Sequence, residues 1–127
     1  MKGSTNRRKG HDAERLYVQK FKDLGYDKCV TARFGSKLHD DCGVDLLNLP
    51  FNVQIKAGVQ KGISYSQTIA YTKDLTAKKL SEEDAAKPVI LIHKKPFDKG
   101  PSKDNETKEL VIMTWNDFSK IISKCSI

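Results

Sequence analysis

The chain has 127 residues, the size of one domain, and a chain of that length buries a core without disulfide or metal staples. Its 23 basic residues against 16 acidic ones leave a net charge of +7, which points to a polyanionic partner. No apolar run approaches the roughly 18 residues of a membrane span, so neither a membrane segment nor a secretory leader is expected. Cys29, Cys42 and Cys125 are odd in number and widely spaced. That argues against a disulfide framework and for reduced thiols in an intracellular, cytoplasmic protein.

Residues 1–10 carry Lys2, Arg7, Arg8 and Lys9 with no acid and no apolar stripe. They are expected to form a flexible basic arm that orders on a phosphate-bearing ligand, ahead of a single domain over residues 11–127. Ala13, Leu16, Tyr17, Phe21 and Leu24 recur at helical spacing and Gly25 ends the run, which predicts a helix over residues 11–24. Glu14 falls at the edge of that stripe, at the rim of the core.

Residues 27–34 alternate loosely around Val30, Thr31 and Phe34 and read as a first strand. Residues 35–43 are polar, acidic at the centre and bracketed by Gly35 and Gly43, which predicts a loop. Two short apolar runs, 44–49 and 51–57, flank the turn residues Asn48-Leu49-Pro50 and predict a β-hairpin. Residues 66–81, anchored on Ile69, Leu75 and Leu80, predict a second helix. The continuous apolar run at 88–93 predicts a buried central strand. A charged loop at 94–108, a strand at 109–114 and a helix at 115–124 follow, the last with Trp115, Phe118, Ile121 and Ile122 as its core side. The order α-β-β-β-α-β-β-α predicts an α/β (α+β) domain, a central mixed β-sheet flanked by helices.

Three features carry chemistry: Glu14 on the first helix, Asp45 early in the hairpin, and Gln54-Ile55-Lys56 on the partner strand. Residues two apart on a strand share a face, so Gln54 and Lys56 point together. The hairpin brings Asp45 beside them. Asp45 and the Ile55 carbonyl are hard oxygen donors suited to a divalent cation, with Glu14 able to add another. Such a cation polarises a phosphodiester and lowers the pKa of a bound water. Lys56 would position that water or neutralise charge developing on the phosphate. His39 and Cys42 have no second ligand pair at zinc spacing, so zinc is not expected. His93, Trp115 and Phe118 are expected to be structural.

Glu14, then Gly43-Val44-Asp45, then Gln54-Ile55-Lys56 resembles the PD-(D/E)XK nuclease superfamily, and within it the archaeal and phage Holliday-junction resolvases. Arg8-Lys9-Gly10, Ala13-Glu14-Arg15 and Gly35-Ser36 match further motifs of those resolvases, so the likeness covers residues 7–57. It implies a restriction-endonuclease-like αβββαβ core. It also implies Mg²⁺- or Mn²⁺-dependent hydrolysis of branched DNA by a homodimer. By resemblance Asp45 is the metal-binding acid, Lys56 the catalytic lysine, Glu14 the helix acid and Ser36 the loop serine near the scissile phosphate. Gln54 and the Ile55 carbonyl join the metal set. Arg7, Arg8, Lys9, Arg15, Arg33, Lys37 and Lys61 are the basic residues assigned to the DNA backbone.

Two positions depart from the family pattern. Val44 stands where proline is usual, and Gln54 stands where the second acid is usual, removing one negative charge from the metal site. Asp40 and Asp41 are the nearest candidates to supply it. The competing readings are a non-catalytic nucleic-acid-binding module on the same scaffold, and an interaction subunit whose charge only confers solubility.

Overall fold

In the computed structural model the described residues are 2–57, 64–77, 80–94 and 109–124. They form a mixed α/β domain around one five-stranded sheet. The long helix α1 (Lys2–Asp23) leads to β1 (Val30–Thr31), two short helices α2 (Ala32–Gly35) and α3 (Lys37–Asp41), then β2 (Leu46–Leu47) and β3 (Asn52–Ala57). After α4 (Tyr65–Ala77) and α5 (Glu82–Ala85) come β4 (Val89–Lys94), β5 (Glu109–Ile112) and α6 (Trp115–Lys124). The strands lie in sequence order. β3 and β4 are parallel and the other pairs antiparallel. With the short helices set aside, the element order is the expected one. No described helix is long and apolar enough to cross a membrane.

The strand period decides the two faces of the sheet. Val53, Ile55, Ile90 and Ile92 face α1 and pack with Leu16, Tyr17 and Phe21, and with Ile121 of α6. The other face carries Gln54 and Lys56, aligned with Leu91 and His93. Lys56 Nζ lies 5.1 Å from the Tyr71 ring centroid, which puts α4 on that side. Leu46 and Val53 are almost wholly buried; side chains of that size each contribute about 1.5–3 kcal/mol by leaving water.

Several local expectations are corrected. Residues 2–10 continue α1 instead of forming an arm. Once the packed turns beyond residue 11 exist, each further residue costs only its own φ and ψ and gains a hydrogen bond. The first strand is two residues long, not eight. At Ala32, which is fully buried, the chain turns into α2 while its N–H still donates to the Asp45 carbonyl at 2.8 Å. Gly35 then lies so close to β2 that a Cβ there would sit 2.6 Å from Leu47 Cδ1.

The predicted loop at 35–43 contains α3. Ser36, extended at φ −159°, caps it by accepting from the His39 N–H at 3.3 Å. Ser81 caps α5 the same way, accepting from the Asp84 N–H at 3.1 Å. The predicted core stripe of α6 is rotated outward: Trp115 is 76% exposed, and Phe118 and Ile122 are also exposed. Thr114 Oγ1 accepts from the Asp117 N–H and donates to its carboxylate, both at 3.1 Å. That cap turns the Asp117–Ile121 row inward and leaves the Trp115 and Phe118 rings against each other, centroids 5.7 Å apart. The charged loop at 94–108 lies outside the described residues beyond Lys94, as does Cys125. Cys29 and Cys42 are buried free thiols.

Candidate active site

Asp45 is held from three sides. Gly43, at φ +84°, lets the chain leave α3 and enter the sheet; an L side chain would be strained there. The Asp45 N–H donates to the Val53 carbonyl at 2.8 Å, and its own carbonyl accepts from Ala32. Val53 is also the register partner of Leu46, so both residues address Val53 in the manner of a bulge. The irregularity sends Leu46 into the α1-side core and Val44 into a separate cluster with Cys42 and Val89. The Asp45 carboxylate is thereby aimed along β3, and its Oδ2 accepts from the Ile55 N–H at 2.7 Å. A residue's N–H and C=O leave the same edge of a strand, so the Ile55 carbonyl faces the Asp45 side as well.

The electrostatics follow from this placement. Burial pushes the Asp45 carboxyl up to about 7. The Ile55 N–H opposes that rise, the charges of Glu14 and Asp40 add to it, and Lys56 pulls it back. The charges of Glu14, Asp40 and Lys56 all act on Asp45, which places these residues, far apart in sequence, within electrostatic range of its carboxylate. Asp40, exposed on α3, adds negative potential. The Gln54 amide lies against the same turn: its Nε2 is 3.3 Å from where a Gly43 Cβ would sit.

Glu14 is not free. Its Oε2 accepts from Arg33 Nε at 2.8 Å, with both side chains mostly buried. The guanidinium also lies over the Phe34 ring, 4.6 Å from its centroid. Arg33 Nη2 is buried with no hydrogen-bond partner among the described residues, and an unsatisfied buried donor costs about 1–3 kcal/mol. His93 Nε2 is buried and unpartnered in the same sense, one strand over from Lys56 in register.

The remaining expected contacts are less convergent. Ser36 Oγ serves the α3 cap and lies 2.8 Å from His39 Nδ1, while His39 Nε2 is 3.1 Å from Asp84 Oδ2. It is a capping residue within a helical segment, not a free loop serine. Arg15 is exposed and paired with Asp12 at 2.6 Å, and Lys37 is exposed on α3. Arg7, Arg8 and Lys9 belong to the α1 backbone, with their side chains outside the described set, and Lys61 lies outside the described residues. Reasoning from sequence missed the Arg33–Glu14 pair, the Lys56–Tyr71 contact and the His39–Asp84 link. Only the last had a local signal, the Ser81-Glu82-Glu83-Asp84 capping pattern that places Asp84 on a helix.

No three His, Cys, Asp or Glu side chains form a metal-sized cluster among the described residues. The donor set is instead one carboxylate at Asp45, the carbonyl edge of Ile55, the Gln54 amide, and Glu14 behind its Arg33 partner. All are hard oxygen donors, the kind that Mg²⁺ and Mn²⁺ take. Burial is the main cause of the raised Asp45 carboxyl, and the charges of Glu14 and Asp40 add a negative potential that a divalent cation would relieve. No protein-family model, curated protein or solved structure matches the chain.

Proposed function

We propose that the chain is a divalent-metal-dependent endonuclease that hydrolyses phosphodiesters of branched DNA, as its resemblance to the Holliday-junction resolvases implies. The part-buried Asp45 carboxylate, fixed on the Ile55 N–H at 2.7 Å and acted on by the charges of Glu14 and Lys56, carries this reading. In it, Asp45, with the Ile55 carbonyl and Gln54, holds Mg²⁺ or Mn²⁺. When bound, the cation supplies Lewis-acid polarisation of the phosphate and lowers the pKa of an attacking water. Lys56, braced on Tyr71, donates to the phosphate oxygen on which charge develops. Exposed basic residues such as Lys37 hold the DNA backbone, and a homodimer would present two such sites to a junction.

The test is incubation of the purified protein with a four-way junction and Mg²⁺ or Mn²⁺. Nicking near the branch point is the expected result, and no cleavage with either metal overturns the proposal. A dimer by sedimentation is expected alongside.

Two substitutions sharpen the roles. Gln54→Glu restores a negative ligand and is expected to tighten Mn²⁺ binding about tenfold, the equivalent of about 1.4 kcal/mol, while keeping or raising cleavage. Loss of all activity in that variant would give the amide a specific role of its own. Ser36→Ala is expected to lower unfolding free energy by about 1 kcal/mol through loss of the α3 cap, with cleavage little changed. A sharp fall in cleavage at unchanged melting temperature would instead place Ser36 at the phosphate.

The second reading, a binding module without catalysis, draws on Gln54 and on the absence of a three-acid cluster among the described residues. It expects affinity that needs no divalent ion and survives Asp45→Ala. Its log affinity should fall by about 0.9 per phosphate contact for each decade of salt.

A further inference from the structure

β5 is the last strand of the sheet, bonded to β4 on one side and to no strand on the other among the described residues. The opposite edge differs: β1 is two residues long and packs against α2. An open edge is a row of N–H and C=O groups ready to pair, and proteins blunt it with lysine, proline or a bulge. Residues 110–112 are Leu-Val-Ile in unbroken register with β4, with none of these devices.

The side chains around this edge are apolar on both faces of the sheet. Leu110 and Ile112 pair with His93 and Leu91 and stand on the α4 side, whereas Val111 pairs with Ile92 and stands on the α1 side. Leu110 and Val111 are each 58% exposed. Beyond Ile112 the chain enters α6, whose Trp115, Phe118 and Ile122 row faces solvent. Ile112 and Trp115 in turn line a groove with Tyr65 and Ile69 of α4, and Tyr65 is 84% exposed. Tyr65, Leu110, Val111, Trp115, Phe118 and Ile122 therefore form one continuous patch. Taking 150–250 Å² for a whole aromatic side chain and 100 Å² for an aliphatic one, their exposed fractions amount to about 600 Å². The largest patch on a monomer is about 300–600 Å², and each partner in a stable complex gives up about 600–1,000 Å². None of the six residues is charged, and Glu109, the acid on β5, is paired with Lys20 at 3.1 Å. The basic excess of the chain thus draws no DNA to this patch, and nothing in the patch repels a like copy.

We infer that this face is the interface between two copies of the chain, formed by antiparallel pairing of β5 with β5 of the second copy. A two-fold axis perpendicular to the sheet makes the patch its own partner. It leaves only the covered β1 edges outside, so assembly stops at two. Such an axis keeps each face of the sheet on its own side, so α6 meets α6 and α4 meets α4. The interface itself stands without the metal-dependent reading. The use of it rests on that reading: the two Lys56-bearing β3 strands lie in one continuous sheet, five strand spacings or about 24 Å apart, with both sites on the same face.

Sedimentation equilibrium of the full chain, without metal or DNA, tests the interface. The unaltered protein is expected to be a dimer at tens-of-micromolar concentration. Val111→Lys puts a charge at the open edge, and Trp115→Glu puts one in the middle of the patch. Both positions are exposed, so the melting temperature of the monomer should hold while association weakens about thirtyfold or more, as on loss of an interface hot spot. Phe34→Glu places the same charge on an exposed aromatic of α2, at the opposite edge of the sheet, and should stay dimeric. Amide exchange gives a second readout. The N–H groups of β5 should exchange more slowly as the concentration of the unaltered protein rises, and show no such dependence in Trp115→Glu. An unaltered chain that stays monomeric, a dimer that survives both Val111→Lys and Trp115→Glu, or an equal loss in Phe34→Glu overturns the inference. Each of these results leaves the junction-cleavage assay to be decided on its own.

Discussion

Replacement of Asp45 by asparagine is expected to lower junction cleavage by about a hundred- to a thousandfold, the usual cost of losing one electrostatic element of a site, while the fold survives. The geometry separates two duties of this side chain. One is structural: Oδ2 accepts the Ile55 N–H at 2.7 Å and continues the hairpin ladder where the backbone has bulged away. The asparagine carbonyl can accept the same bond. The other, on the proposed metal-dependent reading, is the negative charge, which asparagine lacks and which a divalent cation requires. Asp45→Ala removes both. It is expected to abolish cleavage and also to cost about 1–3 kcal/mol of stability, because the Ile55 N–H is left without a partner. Urea melts of the two variants beside the junction assay check the division. Equal destabilisation by asparagine and alanine would mean that the ladder bond depends on the charge, and full activity in the asparagine variant would remove Asp45 from the chemistry.

Between about pH 4 and about pH 7 the protein is expected to lose stability as pH rises, against the trend of most carboxylates. Asp45 has a folded-state pKa raised from 3.8 to about 7, chiefly by burial. Within that interval the folded state retains a proton that the unfolded state has released. Unfolding free energy therefore falls with pH, and it levels off once both states are ionised. A rise of that size bounds the effect at about 4 kcal/mol, since each pKa unit is worth 1.36 kcal/mol. Local relaxation and water entry are expected to leave about 2 kcal/mol. Asp84 works in the opposite sense and in another window. Lys87 holds it below its ordinary value, so its contribution is lost only as pH falls through the acid range below about 4. Denaturant melts at several pH values check the sign. Asp45→Asn should flatten the slope and be the more stable protein at alkaline pH. A stability that rises through neutrality in the unaltered protein, or a slope that Asp45→Asn leaves in place, would show that Asp45 ionises normally. The same proton must leave before a cation binds, so divalent ions should stabilise the protein most above neutrality.

The parts of the fold that were legible in the sequence are those where one local rule dominates. The hairpin followed from two apolar runs around Asn48-Leu49-Pro50. β4 followed from an uninterrupted apolar run, and α6 followed from its periodicity. The placement of Asp45, Gln54 and Lys56 on one hairpin needed only the strand period and the turn, while that of Glu14 needed the helix stripe. Less legible were the segments where a single cap or contact overrides composition. The polar 35–43 stretch reads as a loop until Ser36 caps α3. The Trp115, Phe118 and Ile122 row reads as core until the Thr114 cap turns Asp117 and Ile121 inward.

The sequence by itself determined the mixed α/β class and its element order. It also determined the excess of basic charge and which acids and lysine stand on neighbouring elements. These follow from periodicity and turn chemistry, which act over a few residues. Only the tertiary structure decided that Glu14 is claimed by Arg33, nineteen positions away. It alone decided that Asp45 spans the bulged ladder to Ile55 and that Trp115 faces outward. Those outcomes depend on which donors and acceptors are buried together, and a buried polar group must take whatever partner the packing brings within reach.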